Sequence, residues 1–313
     1  MKNRNQTDRQ PPQIDEINAR AVADPDGLIA EEETRYRRAV NRAAERLILG
    51  DEGRRLVMLS GPSASGKTTT AHLLRDDFIS HGLEATVVSL DDFYRGRGLA
   101  PVLEDGSLDY EALEALDLPR LYGCMRDLMV KGEALMPIYD FTLGRPLDEP
   151  RLLRVNEESV VIFEGIHALN PVFDRHLPDT RLQKVFVSTA SSVYRGEEKV
   201  LQRRQIRLTR RILRDLKFRG SSLENTLQMW DQVKRGEDAY MFPFAEYADE
   251  YIDTLHAYEP GMFAGEILPV LEAIDPADPH LETVRALHAA LSQFVPLSLD
   301  RLPQNSLLRE FVG

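Results

Sequence analysis

The sequence predicts an α/β fold built on a parallel sheet with helices on both faces. Three observations carry this. "LVMLS" (56–60), "GKTTTAHLLRDDFISHG" (66–82) and "ATVVSL" (85–90) read as strand, helix and strand with short connections, an order that implies parallel pairing. "SVVIFE" (159–164) and "KVFVS" (184–188) lack polar alternation, as strands covered on both faces do. A glycine-rich turn closes the first strand and opens the first helix, which Gly82 ends. "EYIDT" (250–254) is a candidate fifth strand.

The flanks read differently. Residues 1–27 are polar, contain "QPP" and "DPDG", and are expected to form a flexible lead. From Glu31 to Leu49, Tyr36, Val40, Ala43 and Leu47 recur at helical spacing, and "GDEGRR" breaks that helix. "LETVRALHAALSQF" (281–294) predicts an amphipathic helix, followed by a loose "PLSLDRLPQN". The expected organisation is a lead and N-terminal helix over 1–50, a phosphate-binding domain over 51–275 and a helical tail over 276–313.

Composition narrows the classes. The chain has 313 residues, 42% of them hydrophobic and 29% charged, the balance of a globular protein. No apolar run is long enough to span a bilayer, and the N-terminus lacks an apolar signal core. The single cysteine, Cys124, can form no internal disulfide. These features predict a cytoplasmic protein. A net charge of −12 argues against bulk binding of nucleic acid or an anionic membrane.

Gly61-Pro-Ser-Ala-Ser-Gly66-Lys67-Thr68 matches G-x-x-x-x-G-K-[ST] at every defined position, between strand and helix. This is the P-loop, and it makes the predicted fold that of a P-loop NTPase. Glycines let backbone N–H groups turn inward around phosphate oxygens, and the helix N-terminus adds partial positive charge. Gly61, Ser63, Ala64, Ser65, Gly66, Lys67, Thr68 and Thr69 are the expected nucleotide contacts. Lys67 reaches the outer phosphates and the Thr68 hydroxyl ligates Mg2+.

Ligands in open parallel sheets bind beyond the carboxyl ends of the strands. The second strand ends at Asp91-Asp92 and the third at Glu164, so acids converge on the phosphate loop. Glu164 stands where a carboxylate holds magnesium in such folds; a helix-capping acid is the alternative. Adjacent side chains of an extended segment point to opposite sides, so one of Asp91 and Asp92 faces the site. The residues themselves do not say which.

Arg207, Arg210, Arg211 and Arg214 share one helix face. A solvated basic face or an RNA-binding face would show the same spacing. Beside a P-loop, a lid over residues 203–222 that closes on ATP is the more economical reading.

GPSASGKTT, LDDFYR, the "YDF" of Tyr139–Phe141, FEGIHAL from Phe163 and RLTRRILRDLKFRG (207–220), in that order, resemble the uridine kinase and phosphoribulokinase family, and "MWDQVKRGEDAYMFPFAEYAD" is similar to a bacterial uridine kinase-like branch. The similarity runs from about Arg55 to about Asp253. It implies ATP and Mg2+ as cofactors and Asp91 as general base for the acceptor hydroxyl. It places Lys67, Arg211 and Arg214 in catalysis, with Arg219 nearby, and Tyr94, Asp109, Tyr139 and Phe141 at the acceptor. Asp109 falls near the family's ribose-binding aspartate, displaced by a couple of residues.

The base-reading positions depart from the family. Thr142-Leu143-Gly144-Arg145 holds no histidine, Ser221 stands where an arginine follows the lid glycine, and Met229-Trp230 occupy the place of a glutamine. His167 and Asn170 are substitutes by position; a structural histidine at 167 is equally consistent. The resemblance therefore implies ATP-dependent phosphoryl transfer to a hydroxyl, most simply the 5′-hydroxyl of a nucleoside. A sugar phosphate or pantothenate-like acceptor, or an ATP-responsive binding module, remain alternatives. ATP and a small-molecule acceptor are the expected partners, with no nucleic acid or membrane, and homo-oligomerisation stays open.

Overall fold

The computed structural model describes residues 10–49, 54–177, 180 and 182–313. The five expected strands are present as β1 (Arg55–Ser60), β2 (Ala85–Ser89), β7 (Val160–Glu164), β8 (Leu182–Ser188) and β11 (Glu250–Asp253). They form one parallel sheet in the order β11-β8-β1-β7-β2. The remaining strands make small antiparallel ribbons: β3 (Glu133–Met136) with β6 (Arg151–Arg154), β4 (Tyr139–Asp140) with β5 (Arg145–Pro146), and β9 (Val193–Arg195) with β10 (Glu198–Leu201). The helices are α1 (Ile14–Ala23), α2 (Pro25–Ile48), α3 (Lys67–Ser80), α4 (Leu118–Lys131), α5 (Val172–His176), α6 (Arg203–Phe218), α7 (Leu223–Tyr240), α8 (Glu259–Glu272), α9 (Leu281–Leu291) and α10 (Arg309–Val312).

The period-2 geometry of a strand sends successive side chains to opposite faces, and the central strands are apolar on both. Val57, Leu59, Val160, Ile162, Val185 and Val187 enter one core, beneath α2, α3 and α6. Leu56, Met58, Val161, Phe163 and Phe186 enter the other, beneath α4. No described helix is long and apolar enough to cross a membrane.

Two expectations for the flanks change. Residues 10–13 lead directly into α1, and Ile14, Ile17, Leu28 and Ile29 are buried in the first core. Pro25 does not break structure: it occupies the first turn of α2, and Asp24 caps that turn by accepting from the Gly27 N–H at 3.0 Å. A proline whose missing N–H would have been unpaired anyway costs nothing there. Residues 1–9 and 50–53, where the rest of the lead and the helix breaker were expected, lie outside the described residues.

The C-terminal segment is not loose. After α9 it runs back across the molecule and packs on α6 and the P-loop. Leu307, Leu308 and Phe311 are fully buried, and Phe311 lies under the Arg210 guanidinium, 5.1 Å from its ring centroid. Gly66 has φ +84°, and a Cβ there would stand 2.5 Å from Leu307 Cδ1. The loop glycine is therefore demanded by its backbone and by the strap above it. Burying each of the three side chains contributes about 1.5–3 kcal/mol. Their sum is comparable to the stability of many whole domains, so the strap is a fixed part of the fold.

Phe311→Ala should cost about 3–5 kcal/mol, read as a lower denaturant midpoint at unchanged m-value. A loss below about 0.5 kcal/mol would show that the strap does not pack as described.

Candidate active site

One cavity of about 520 Å3 opens at the carboxyl edge of the sheet. The strand register builds it: Glu164 pairs with Leu59 of β1 on one side and Ser89 of β2 on the other. The acid thus stands between the phosphate loop and the Asp91 turn.

The loop is held tightly. A Cβ on Gly61 would come within 2.0 Å of the Val187 carbonyl oxygen, so β8 admits only glycine there. Ala64 takes the left-handed conformation, φ +57°. The Ser63 N–H donates to Glu237 at 2.8 Å, and Arg207 and Arg210 donate to the Ser63 and Ala64 carbonyls at 3.0 and 3.3 Å. Thr254 Oγ1 donates to the Ser65 carbonyl at 2.7 Å. The buried Ser65 hydroxyl has no hydrogen-bond partner among the described residues. Lys67 Nζ donates to the Pro62 carbonyl at 3.2 Å. Ser63 to Thr68 all line the cavity. Thr69 bonds Glu310 at 2.6 Å.

The arginine helix divides into two pairs, which corrects the expectation of one anion-facing stripe. Arg207 and Arg210 are buried: Arg207 is paired with Glu237 at 2.6 Å and stacked 5.3 Å from the Trp230 ring, and Arg210 is paired with Glu259 at 2.6 Å. Arg211, Arg214 and Arg219 instead converge on a single carboxylate, Asp215, at 3.3, 3.1 and 3.6 Å. All three line the cavity. Burial and mutual repulsion lower the pKa of both Arg211 and Arg219. Three cations sharing one anion leave positive charge facing the cavity, the arrangement that suits a polyphosphate.

Glu164 accepts from Ser89 at 3.1 Å and from the Thr68 hydroxyl at 3.4 Å. Burial raises its pKa to about 7, with Lys67 pulling it down. One carboxylate and one hydroxyl beside a phosphate loop fit Mg2+, which keeps several waters and takes the rest of its shell from phosphate.

Asp91 and Asp92 do not lie on an extended segment. Leu90–Phe93 forms a 3-10 turn, and it is this turn that separates the two side chains. Asp91 lines the cavity, open to solvent through it, while the surrounding protein raises its pKa and Lys67 and Arg219 lower it. Asp92 accepts from the Tyr139 N–H at 3.2 Å and so braces the β4–β5 ribbon. On that ribbon Tyr139 meets Phe141 edge-on at 4.9 Å, and Tyr94 stands 5.8 Å from Tyr139. The Tyr94 hydroxyl donates to the Tyr110 carbonyl at 3.2 Å. All three rings line the cavity.

Three sequence candidates lie elsewhere. Asp109 is not a lining residue: its oxygens accept from the Glu111 N–H at 3.1 Å and the Tyr240 hydroxyl at 2.8 Å. Glu111, two residues on, lines the cavity instead, and burial raises its pKa to about 7, against the pull of Arg211. His167 is buried and does not line the cavity, and burial lowers its pKa to about 4, opposed by the Glu111 backbone and Asp109. Asn170 accepts from the Val172 N–H at 3.0 Å and starts α5. The sequence reading missed Glu111, Arg97, Tyr110 and Glu310. Arg97 lies along Gly144 and donates to the Phe141 carbonyl at 3.3 Å. Each comes from a loop or tail whose path no local pattern encodes.

Residues 56–259 match the Phosphoribulokinase / Uridine kinase family. The chain belongs to this family. It is an ATP-dependent small-molecule kinase with the P-loop NTPase fold. Uridine kinase of Lactobacillus helveticus (strain DPC 4571) is 29% identical over 195 residues, covering 62% of this chain and 83% of that protein. Uridine kinase-like protein 5 of Arabidopsis thaliana is also 29% identical over 195 residues, and there the match spans 62% of this chain but 38% of the relative. Among solved structures, "Structure of a Possible Uridine Kinase from Bacillus stearothermophilus" is 18% identical with a TM-score of 0.46, covering 69% of this chain and 98% of that one.

The buried His167 fixes one pH dependence. The unfolded histidine takes a proton below its ordinary value near 6.5, while the folded one resists until about 4. Stability is therefore lost as pH falls through this window. His167→Phe should remove a loss of roughly 3 kcal/mol between pH 6.5 and 4, measured by denaturation of both proteins at each pH. Parallel curves would contradict the buried, neutral histidine.

Proposed function

We propose that the chain transfers the γ-phosphoryl group of ATP to the 5′-hydroxyl of a nucleoside, with relaxed choice of base. One observation carries this reading. A single cavity has a polyphosphate face, made by Lys67 and the Arg211–Arg214–Arg219 cluster, and an acceptor face, made by Asp91 and the Tyr94, Tyr139 and Phe141 rings.

In this reading the P-loop N–H groups and Lys67 hold the β- and γ-phosphates, and Arg211 and Arg214 neutralise charge that spreads over the transferring group. Asp91 accepts the proton of the attacking hydroxyl. Thr68 and Glu164 would hold Mg2+, which would supply positive charge to offset that of the phosphates. The aromatic slot offers a flat apolar surface to a ring. The names of the uridine kinase relatives favour a nucleoside.

Relaxed choice follows from the walls. Gly144 and Met229 line the cavity but bring no side-chain hydrogen-bond donor. Ser221 Oγ accepts from Asn225 at 2.7 Å, and Trp230 is buried against Arg207, so neither reads a base. A second reading rests on Arg97, which lines the acceptor half and makes no ion pair among the described residues. Its guanidinium suits an anionic acceptor such as a sugar phosphate or a pantothenate-like acid.

ADP release with uridine, cytidine, adenosine, inosine, pantothenate and a sugar phosphate under one condition separates these readings. The account predicts turnover of several nucleosides with kcat/KM within about tenfold of each other, the span of roughly 1.4 kcal/mol that stacking without a polar reader leaves. Asp91→Asn should lower that turnover at least ~100-fold, and Asp92→Asn far less. Exclusive use of uridine and cytidine would refute relaxed selectivity, turnover of the acids instead would select the Arg97 reading, and the reverse ranking of the two aspartates would refute Asp91 as base.

A further inference from the structure

A cavity of about 320 Å3 adjoins the phosphate loop at Pro62 and shares no lining residue with the active-site cavity. Its charge is one-sided. Lys199 of β10 and Arg203, Arg204 and Arg207 of α6 line it, and no aspartate or glutamate does. This stands out in a chain of net charge −12. Two of the four cations are neutralised within the protein, Arg204 by Asp238 and Arg207 by Glu237. Lys199 and Arg203 are exposed and make no ion pair among the described residues.

Two further features point to an anion. The 16-residue helix α6 begins at the cavity, with its N-cap Gln202 and its first residue Arg203 both in the wall. A helix N-terminus carries partial positive charge. Thr189, which follows β8, lies in the same wall. It is only 2% exposed, and its hydroxyl has no hydrogen-bond partner among the described residues. A buried hydroxyl without a partner is costly, and an oxyanion in the cavity would supply the acceptor. Ser192, also in the wall, accepts from the Arg203 N–H at 3.3 Å and keeps its own proton to donate.

The number of free cations selects the anion. One carboxylate would balance only one of Lys199 and Arg203. A phosphate monoester carries nearly two charges at neutral pH and three acceptor oxygens, enough for both cations and a hydroxyl. The cavity volume falls within the range of small-molecule sites, and Pro62 and Phe242 give it an apolar part for the organic portion of an ester. We propose that this cavity is a second binding site, for a small phosphate monoester, in which Lys199 and Arg203 meet the phosphate and the Thr189 hydroxyl donates to it.

The experiment is calorimetric titration of the full chain with ribose 5-phosphate, ribose and inorganic phosphate. The proteins are wild type, the paired substitution Lys199→Ala with Arg203→Ala, Thr189→Val and Lys67→Ala. Melting temperatures verify that each is folded. Wild type should bind ribose 5-phosphate, inorganic phosphate about tenfold more weakly, and ribose not measurably. The paired substitution should weaken the ester about 100-fold, the loss of two charge-assisted hydrogen bonds. Thr189→Val, which keeps the side-chain volume, should weaken it about fivefold. Lys67→Ala, which cripples the phosphate loop of the active site, should leave the affinity within about twofold. An affinity that survives the paired substitution, or that is lost with Lys67, would place the ester in the active-site cavity and overturn the proposal. So would a folded wild type that binds no ester, a Thr189→Val protein that binds as wild type does, or inorganic phosphate bound as tightly as the ester, which would leave a bare anion site.

Discussion

The site depends on how α6 distributes its positive charge. Two of its arginines are consumed within the protein: Arg207 by Glu237 and Arg210 by Glu259, in pairs shielded from solvent. These pairs also donate to the Ser63 and Ala64 carbonyls. They therefore fasten α6 to the loop between β1 and α3 and hold the shape of that loop. Arg211, Arg214 and Arg219 share Asp215 and keep positive charge for the cavity. A buried ion pair adds little net stability, but removing one partner leaves an uncompensated charge. The anchoring pair and the cavity-facing set are thus distinct in their physics even though one follows the other along α6 and its C-cap.

The opposite wall is tuned in the same way. Burial pushes Glu164 and Glu111 to about 7, and Lys67 pulls both down. Asp91 is raised by the same crowding and lowered by Lys67 and Arg219. Acids and cations thus hold one another across the cavity. Magnesium and phosphate, arriving together, would satisfy both sets.

Much of this was legible in the sequence because it is local. The strand ends, the P-loop and the acids after β2 and β7 occur in short runs whose geometry follows from period and position. What was not legible depends on distant partners. Nothing near Arg207 or Arg210 announces Glu237 or Glu259, which lie 30 and 49 residues away. Glu310 meets Thr69 across 241 residues. The polar lead was expected to be flexible because a first-turn proline and a loop proline share one local signal until the cap at Asp24 is seen. The separation of Asp91 from Asp92 was anticipated for an extended chain, whereas a 3-10 turn achieves it.

The division of the arginine helix is tested most directly by measuring kcat and unfolding free energy for four variants together: Arg207→Ala, Arg210→Ala, Arg211→Ala and Arg214→Ala. The account predicts that the first two lose about 3–5 kcal/mol of stability by stranding Glu237 or Glu259. The second two should lose less stability, because Asp215 keeps two other arginine partners in each, and should lose on the order of 100-fold in kcat. Four variants that lose stability equally, or an Arg207 or Arg210 variant as stable as the parent, would contradict it.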